Sequence, residues 1–204
     1  TTVTFDYNNE TVTENVTWDI ASFVVNQIGK QKLYGTLSNS SYKVDELSIE
    51  IDVLPYTFSL NEETNEYAIT KYYENETELI IPNTFNNIAI TSIGEKAFDG
   101  CTNLEKVEIP SDIKKINNYA FDNCKNLVSL YYNGTIDEWC GIIFSNYTSN
   151  PMYYSQSIYM KNEFDQWYEL IEIKISDTIT NIGDFQFIGA KNIENVELPD
   201  SITS

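Results

Sequence analysis

Histidine is absent from this chain of 204 residues. That absence removes Ser-His-Asp triads, Cys-His dyads, His-ligated zinc and H-E-x-x-H sites together. Cysteine is scarce, with only Cys101, Cys124 and Cys140, so an all-cysteine tetrahedral zinc site cannot form within one chain. Positive charge is scarce as well: 12 Lys and Arg stand against 31 Asp and Glu, a formal charge of −19. Phosphate backbones and anionic membrane surfaces are both read by basic clusters, so neither nucleic acid nor a lipid surface is an expected partner. A charge this large favours a soluble monomer. No apolar run is long enough to cross a bilayer, and no basic n-region opens the chain, which begins Thr1-Thr2-Val3-Thr4. Without an initiator Met, the front reads as cut.

What is present is a repeat. Residues 93–109 read I-G-E-K-A-F-D-G-C-T-N-L-E-K-V-E-I, and residues 116–132 read I-N-N-Y-A-F-D-N-C-K-N-L-V-S-L-Y-Y. The template returns at 182–198 as I-G-D-F-Q-F-I-G-A-K-N-I-E-N-V-E-L. Ile93, Phe98, Cys101, Leu104 and Val107 recur as Ile116, Phe121, Cys124, Leu127 and Leu130, then as Ile182, Phe187, Ala190, Ile193 and Val196. A unit of about 23 residues lies in the leucine-rich-repeat range, one strand and one short helical or 3₁₀ stretch per unit. The L-x-x-V-x-I segments alternate as half-buried strands do, and the proline after Ile109 and Leu198 stops the ladder. Phe98, Phe121 and Phe187 are expected to stack as a buried spine.

This pattern resembles the BspA-like leucine-rich repeats of bacterial surface proteins. The resemblance begins near Tyr56, with Phe58-Ser59-Leu60, Tyr67-Ala68-Ile69-Thr70 and Ile80-Ile81-Pro82 as an opening unit. It implies a solenoid over residues 56–204, truncated at its end, with an insertion around 133–168. Gln186 in place of Ala, and Ala190 in place of Cys, are the departures in the last complete copy.

Residues 1–55 differ in habit: Thr-, Val- and Asn-rich, without Cys, and alternating at Thr2–Tyr7 and Leu47–Val53. Short alternating strands between Asn- and Gly-bearing turns predict a β-sandwich. Val16-Thr17-Trp18-Asp19, then Gly29 and Leu33-Tyr34-Gly35-Thr36-Leu37, resemble bacterial Ig-like domains, in which the Trp packs between sheets. The expected fold is therefore mainly β with short helices, an Ig-like sandwich followed by a leucine-rich-repeat solenoid.

Little in the chain suggests chemistry. Cys101 and Cys124 share a slot in consecutive repeats, which fits small buried hydrophobes better than a disulfide, because side chains of one column point in parallel. Thr135-Ile136-Asp137-Glu138 reads as a capping box opening a short helix; Cys140, at its end, has no base nearby in sequence to activate it. Adjacent acids such as Glu62-Glu63 and Asp137-Glu138 are most often solvated faces. No phosphate loop, G-x-S-x-G or EF-hand pattern appears, and no catalytic residue, metal or cofactor is expected.

The expected function is a surface-exposed, extracellular binding or adhesion module that presents its strand face to a protein or a neutral glycan. A structural spacer, or an accessory region of a larger cell-surface protein or enzyme, is the alternative. Registration places Ile80, Glu108, Tyr131, Lys174 and Glu197 in one outward column, and Glu78, Lys106, Ser129, Glu172 and Asn195 in the next. Tyr131 is the first candidate contact, with Glu108, Lys174, Glu197 and Lys106 around it. The aromatics crowding Tyr131 to Tyr168 could form a surface for sugar rings or a protein loop, but most are assigned to the core of the inserted segment.

Overall fold

The structure, a computed structural model, describes residues 2–22, 28–39, 41–42 and 46–203. Its contacts divide the chain into two compact units, Thr1–Pro55 and Tyr56–Ser204.

The first unit is an antiparallel meander of β1 (Thr2–Tyr7), β2 (Glu10–Trp18), β3 (Gly29–Leu37) and β4 (Ser48–Val53), hydrogen-bonded in that order. Asn8 and Asn9 sit at φ 54° and 65° between the paired residues Tyr7 and Glu10, the two left-handed positions a two-residue hairpin turn requires. The described residues carry this one strand order, and the two facing sheets of the expected sandwich are not confirmed among them. Among the side chains described there, Val16 is buried, at 7% exposure. Trp18 is half-buried. It pairs across β2 and β3 with Gly35 and covers that glycine on the sheet surface.

The second unit carries two sheets around one core. The first, the ladder, has the order β15-β14-β12-β10-β7, from β7 (Glu78–Ile80), β10 (Lys106–Pro110), β12 (Ser129–Asn133), β14 (Tyr159–Lys161) and β15 (Trp167–Glu169). The second runs β13-β11-β9-β6-β5, from β5 (Tyr56–Asn61), β6 (Glu66–Tyr72), β9 (Ile88–Ile93), β11 (Lys115–Ile116) and β13 (Ile143–Phe144), with β8 (Thr84–Phe85) pairing β9. Strands one repeat apart pair in parallel, whereas β5 closes the second sheet antiparallel to β6. Period-2 alternation puts Val107, Ile109, Leu130 and Tyr132 inside and leaves Lys106, Glu108, Ser129 and Tyr131 outside.

Between the sheets run the A-F-x-x-C turns. Phe98 and Phe121 are fully buried, with parallel rings 5.0 Å apart. Phe187 is only partly buried, a departure from the expected spine. The turns stack through their backbones, Phe98 N–H donating to Ala120 O at 2.8 Å and Gly100 N–H to Asp122 O at 2.9 Å. Each copy bends at two left-handed positions: Lys96, Tyr119 and Phe185 at the first, Gly100, Asn123 and Gly189 at the second. The second takes the residue types that tolerate this conformation, the first does not.

The segment read as an insertion is a turn of the solenoid. Its β14 pairs with β12 and its β13 with β11. Register partners that lie 23 residues apart in one turn, Glu108 with Tyr131 and Ile93 with Ile116, become 28 apart in the next, Tyr131 with Tyr159 and Ile116 with Phe144. The five extra residues fall between β12 and β13, where α1 (Ile136–Cys140) sits. Thr135 caps it as a capping box: its hydroxyl accepts from Glu138 N–H at 3.2 Å, and Glu138 Oε2 accepts from Thr135 N–H at 2.8 Å. A second helix, α2 (Met152–Ser155), occupies the turn before β14.

Candidate binding face

The outside of the ladder assembles part of the expected column. Ile80 pairs with Glu108, and Glu108 with Tyr131. Beyond β12, however, the neighbour is Tyr159 on β14, and then Glu169 on β15. Lys174 and Glu197 lie elsewhere. They face each other, in the expected register, in a separate two-stranded sheet of β16 (Glu172–Lys174) and β17 (Asn195–Glu197). The antiparallel strand β15 is the physical reason: it covers the edge of β14 that the last repeat's strands were expected to extend. The site therefore contains Tyr131, Glu108 and Lys106 and excludes Lys174 and Glu197.

Three aromatic side chains meet where the column crosses β12, β14 and β15. Tyr131 and Tyr159 stack with centroids 4.8 Å apart and planes 15° apart, and Trp167 meets Tyr131 edge-on at 4.9 Å and 88°. Lys106 reaches from β10, on the opposite side of β12, and holds its ammonium 4.8 Å over the Tyr131 ring. Both faces of Tyr131 are thus covered, and the ring offers an edge and a hydroxyl rather than a free face for stacking. Lys161 lies 5.1 Å over Trp167 in the same manner. Each ammonium is also held by a carboxylate, Lys106 by Glu78 at 3.2 Å and Lys161 by Asp165 at 2.7 Å. Burial raises the Tyr159 hydroxyl above its ordinary range, with Glu169 and Tyr131 adding to the effect, so it stays a neutral hydrogen-bond donor. Ile80, 69% exposed, extends the apolar strip toward β7.

Tyr159 and Trp167 belong to this face rather than to the core expected for the inserted segment, and Lys161 joins them. Their signal was the alternation Tyr159-Met160-Lys161, which matches the in-out pattern of the other ladder strands once the five residues of α1 are allowed for.

Two concavities lie away from this face. A groove of about 340 Å³ on the second sheet runs past Asn61, Tyr67, Thr91 and Lys114. Its central carboxylate, Glu66, is already engaged by Lys114 at 2.7 Å and Thr91 Oγ1 at 3.1 Å, which hold it below its usual pKa range. A smaller one, about 270 Å³, lies beside Cys140, Phe144 and Asn181. Burial pushes the Cys140 thiol up to about 11, the opposite of what a nucleophile needs. Cys101 and Cys124 are free and buried, and the Cys124 thiol donates to Phe98 O at 3.3 Å. No group of three or more potential metal ligands occurs among the described residues.

A family model described as the BspA type leucine rich repeat region matches residues 62–159 and 157–204, in six copies. No curated protein matches the chain. Among solved structures it is similar to a leucine rich cell surface protein from Faecalibacterium prausnitzii, with 25% identity, 73% of this chain covered and a TM-score of 0.45. A leucine-rich repeat protein from Bacteroides ovatus follows, with 22% identity, 74% covered and a TM-score of 0.43. This chain spans 42% of the length of each of those two. The leucine-rich repeat protein of T. pallidum is 16% identical over 72% of this chain and 81% of its own, with a TM-score of 0.37.

Proposed function

Because the chain belongs to the BspA-type leucine-rich-repeat family, we propose that it acts as a non-catalytic binding module on a bacterial cell surface, engaging a protein through the outer face of its ladder. The observation that carries this reading is the outward cluster of Tyr131, Tyr159 and Trp167. Tyr and Trp are the residues that most often anchor protein interfaces, because they desolvate a large area with few rotatable bonds. A spacer needs no such cluster on its surface. A protein partner fits better than a stacked sugar, since one face of the Tyr131 ring is stacked on Tyr159 and the other holds an ammonium paired with Glu78, a charge that a neutral sugar does not replace.

The test is an array of purified extracellular-matrix and serum proteins, with a glycan array beside it, followed by titration of each hit. Tyr131→Ala is expected to weaken a protein hit by more than about tenfold, the scale of an interface anchor. Glu62→Ala, in the entry segment, and Lys174→Ala, in the separate sheet, are expected to leave it unchanged. Equal losses at Tyr131 and Glu62, or hits confined to glycans, would sink the reading.

A further inference from the structure

The ladder face carries the same small arrangement twice: an aromatic ring, an ammonium over it, and a carboxylate holding that ammonium. Lys106 sits over Tyr131 and on Glu78; Lys161 sits over Trp167 and on Asp165. Four carboxylates belong to this stretch, Glu78, Glu108, Asp165 and Glu169, against these two lysines. Ring faces backed by an excess of carboxylate are a receptor for cations, and here the chain's own lysines fill both places. They fill them loosely. The lysine side chains remain 36% and 28% exposed, and the carboxylates holding them 69% and 80%; ion pairs this exposed contribute little. An ammonium on a flexible stem is also the weaker occupant. A guanidinium is planar, stacks on aromatic faces and pairs with a carboxylate through two hydrogen bonds. The chain has twelve lysines and no arginine, so it cannot fill these places with the better group itself.

We propose that Lys106 and Lys161 are placeholders, and that the ladder face binds an arginine-bearing segment of a partner protein whose guanidinium groups displace them from Tyr131 and Trp167. This rests on the ladder-face reading above and narrows it to one partner chemistry. The acidic surface supplies long-range attraction for such a segment, the ring faces supply short-range selection for arginine over lysine, and the displaced lysines return to solvent.

The probe is a hexa-arginine peptide, acetylated and amidated at its ends, titrated calorimetrically into the whole chain and compared with hexa-lysine of the same charge. Hexa-arginine is expected to bind more tightly. Lys106→Met and Lys161→Met, which remove the internal occupants without touching the core, are each expected to tighten hexa-arginine by about three- to fivefold. Lys125→Met, which removes the same charge from the exposed turn after Cys124, is expected to change it by less than about twofold. Equal affinities for the two peptides, or a gain at Lys106 no larger than at Lys125, overturns the proposal. Failure of hexa-arginine to bind, while an array protein still loses affinity on Tyr131→Ala, overturns the displacement and leaves the ladder-face reading standing. Loss of that Tyr131 dependence removes both.

Discussion

Gln186 and Trp139 hold each other across the last turn of the solenoid. The Trp139 indole N–H donates to the backbone carbonyl of Gln186 at 3.1 Å, and the Gln186 side-chain amide donates to the backbone carbonyl of Trp139. Gln186 stands where the earlier copies have Ala97 and Ala120, and it is 2% exposed. The glutamine reaches the carbonyl of Trp139, which α1 carries into the core and which also accepts from Ile142 N–H at 3.1 Å. Asn150 adds to the same junction, its side chain donating to Phe185 O at 2.8 Å. Gln186→Ala keeps the residue-186 carbonyl that the indole uses and the Ile142 N–H bond to Trp139 O, so it removes one side-chain hydrogen bond and an unpartnered Oε1; a loss of no more than about 0.5–1.5 kcal/mol, the net worth of one hydrogen bond, is expected. Equilibrium urea unfolding checks it; an unchanged or raised midpoint would show that the side-chain bond to Trp139 O carries no weight.

Phe121 and Phe187 occupy equivalent repeat positions but not equivalent environments. Phe121 is fully buried and stacked on Phe98, while Phe187 is partly buried at the last turn. Phe121→Ala is expected to cost about 3–5 kcal/mol, as large truncations in a packed core do. Phe187→Ala is expected to cost less than half of that, because fewer neighbours lose contact. The same urea measurement on both variants decides it, and equal losses would contradict the difference in burial.

The ladder was legible where the chain repeats every 23 residues. Val107 and Leu130 share one slot, and the pairings Lys106 with Ser129 and Lys174 with Glu197 follow from counting alone. Counting failed at α1, because a helix inserted between two strands shifts all later partners by its own length while preserving the in-out alternation. Hence Tyr159 was invisible as the partner of Tyr131, and the column was carried on to Lys174 in error. The capping box at Thr135 was readable because its spacing is local. The strand order of the first unit was not, since alternation shows that a strand has two faces but not which strand lies beside it.

Alkaline pH tests the burial of the thiol at the end of α1. Burial, and then Asp137, raise Cys140 from its ordinary value near 9 to about 11. Between those values the unfolded chain releases the proton and the folded chain keeps it, so stability falls as pH rises through the window and levels off above it. Tyr72 and Tyr154, raised to about 12 chiefly by burial, continue the fall from the ordinary tyrosine range near 10. The urea midpoint is expected to drop between about pH 9 and 11, and Cys140→Ala is expected to flatten that part of the curve relative to wild type. Parallel curves for the two proteins would mean that Cys140 ionises as freely folded as unfolded.

Gly35 tests the first unit, because its missing side chain is what lets Trp18 lie down. A Cβ there would stand 2.6 Å from Val16 Cγ1 and 2.8 Å from Trp18 Cε3, closer than carbon atoms approach without displacement. The glycine pairs with Trp18 across β2 and β3, so the indole fills the place that the side chain would take. Gly35→Ala must therefore move both Trp18 and Val16, which is buried at 7% exposure. An overpacking loss of about 1–3 kcal/mol is expected. Gly29 supplies the comparison: it sits at φ +99°, with nothing within 4 Å of a Cβ, so Gly29→Ala strains the backbone without touching the indole. The readout is the set of indole N–H resonances from the three tryptophans, Trp18, Trp139 and Trp167. Gly35→Ala is expected to shift the Trp18 resonance and leave the other two in place, whereas Gly29→Ala shifts none. An unmoved Trp18 signal in the Gly35 variant would show that the indole does not rest on the glycine.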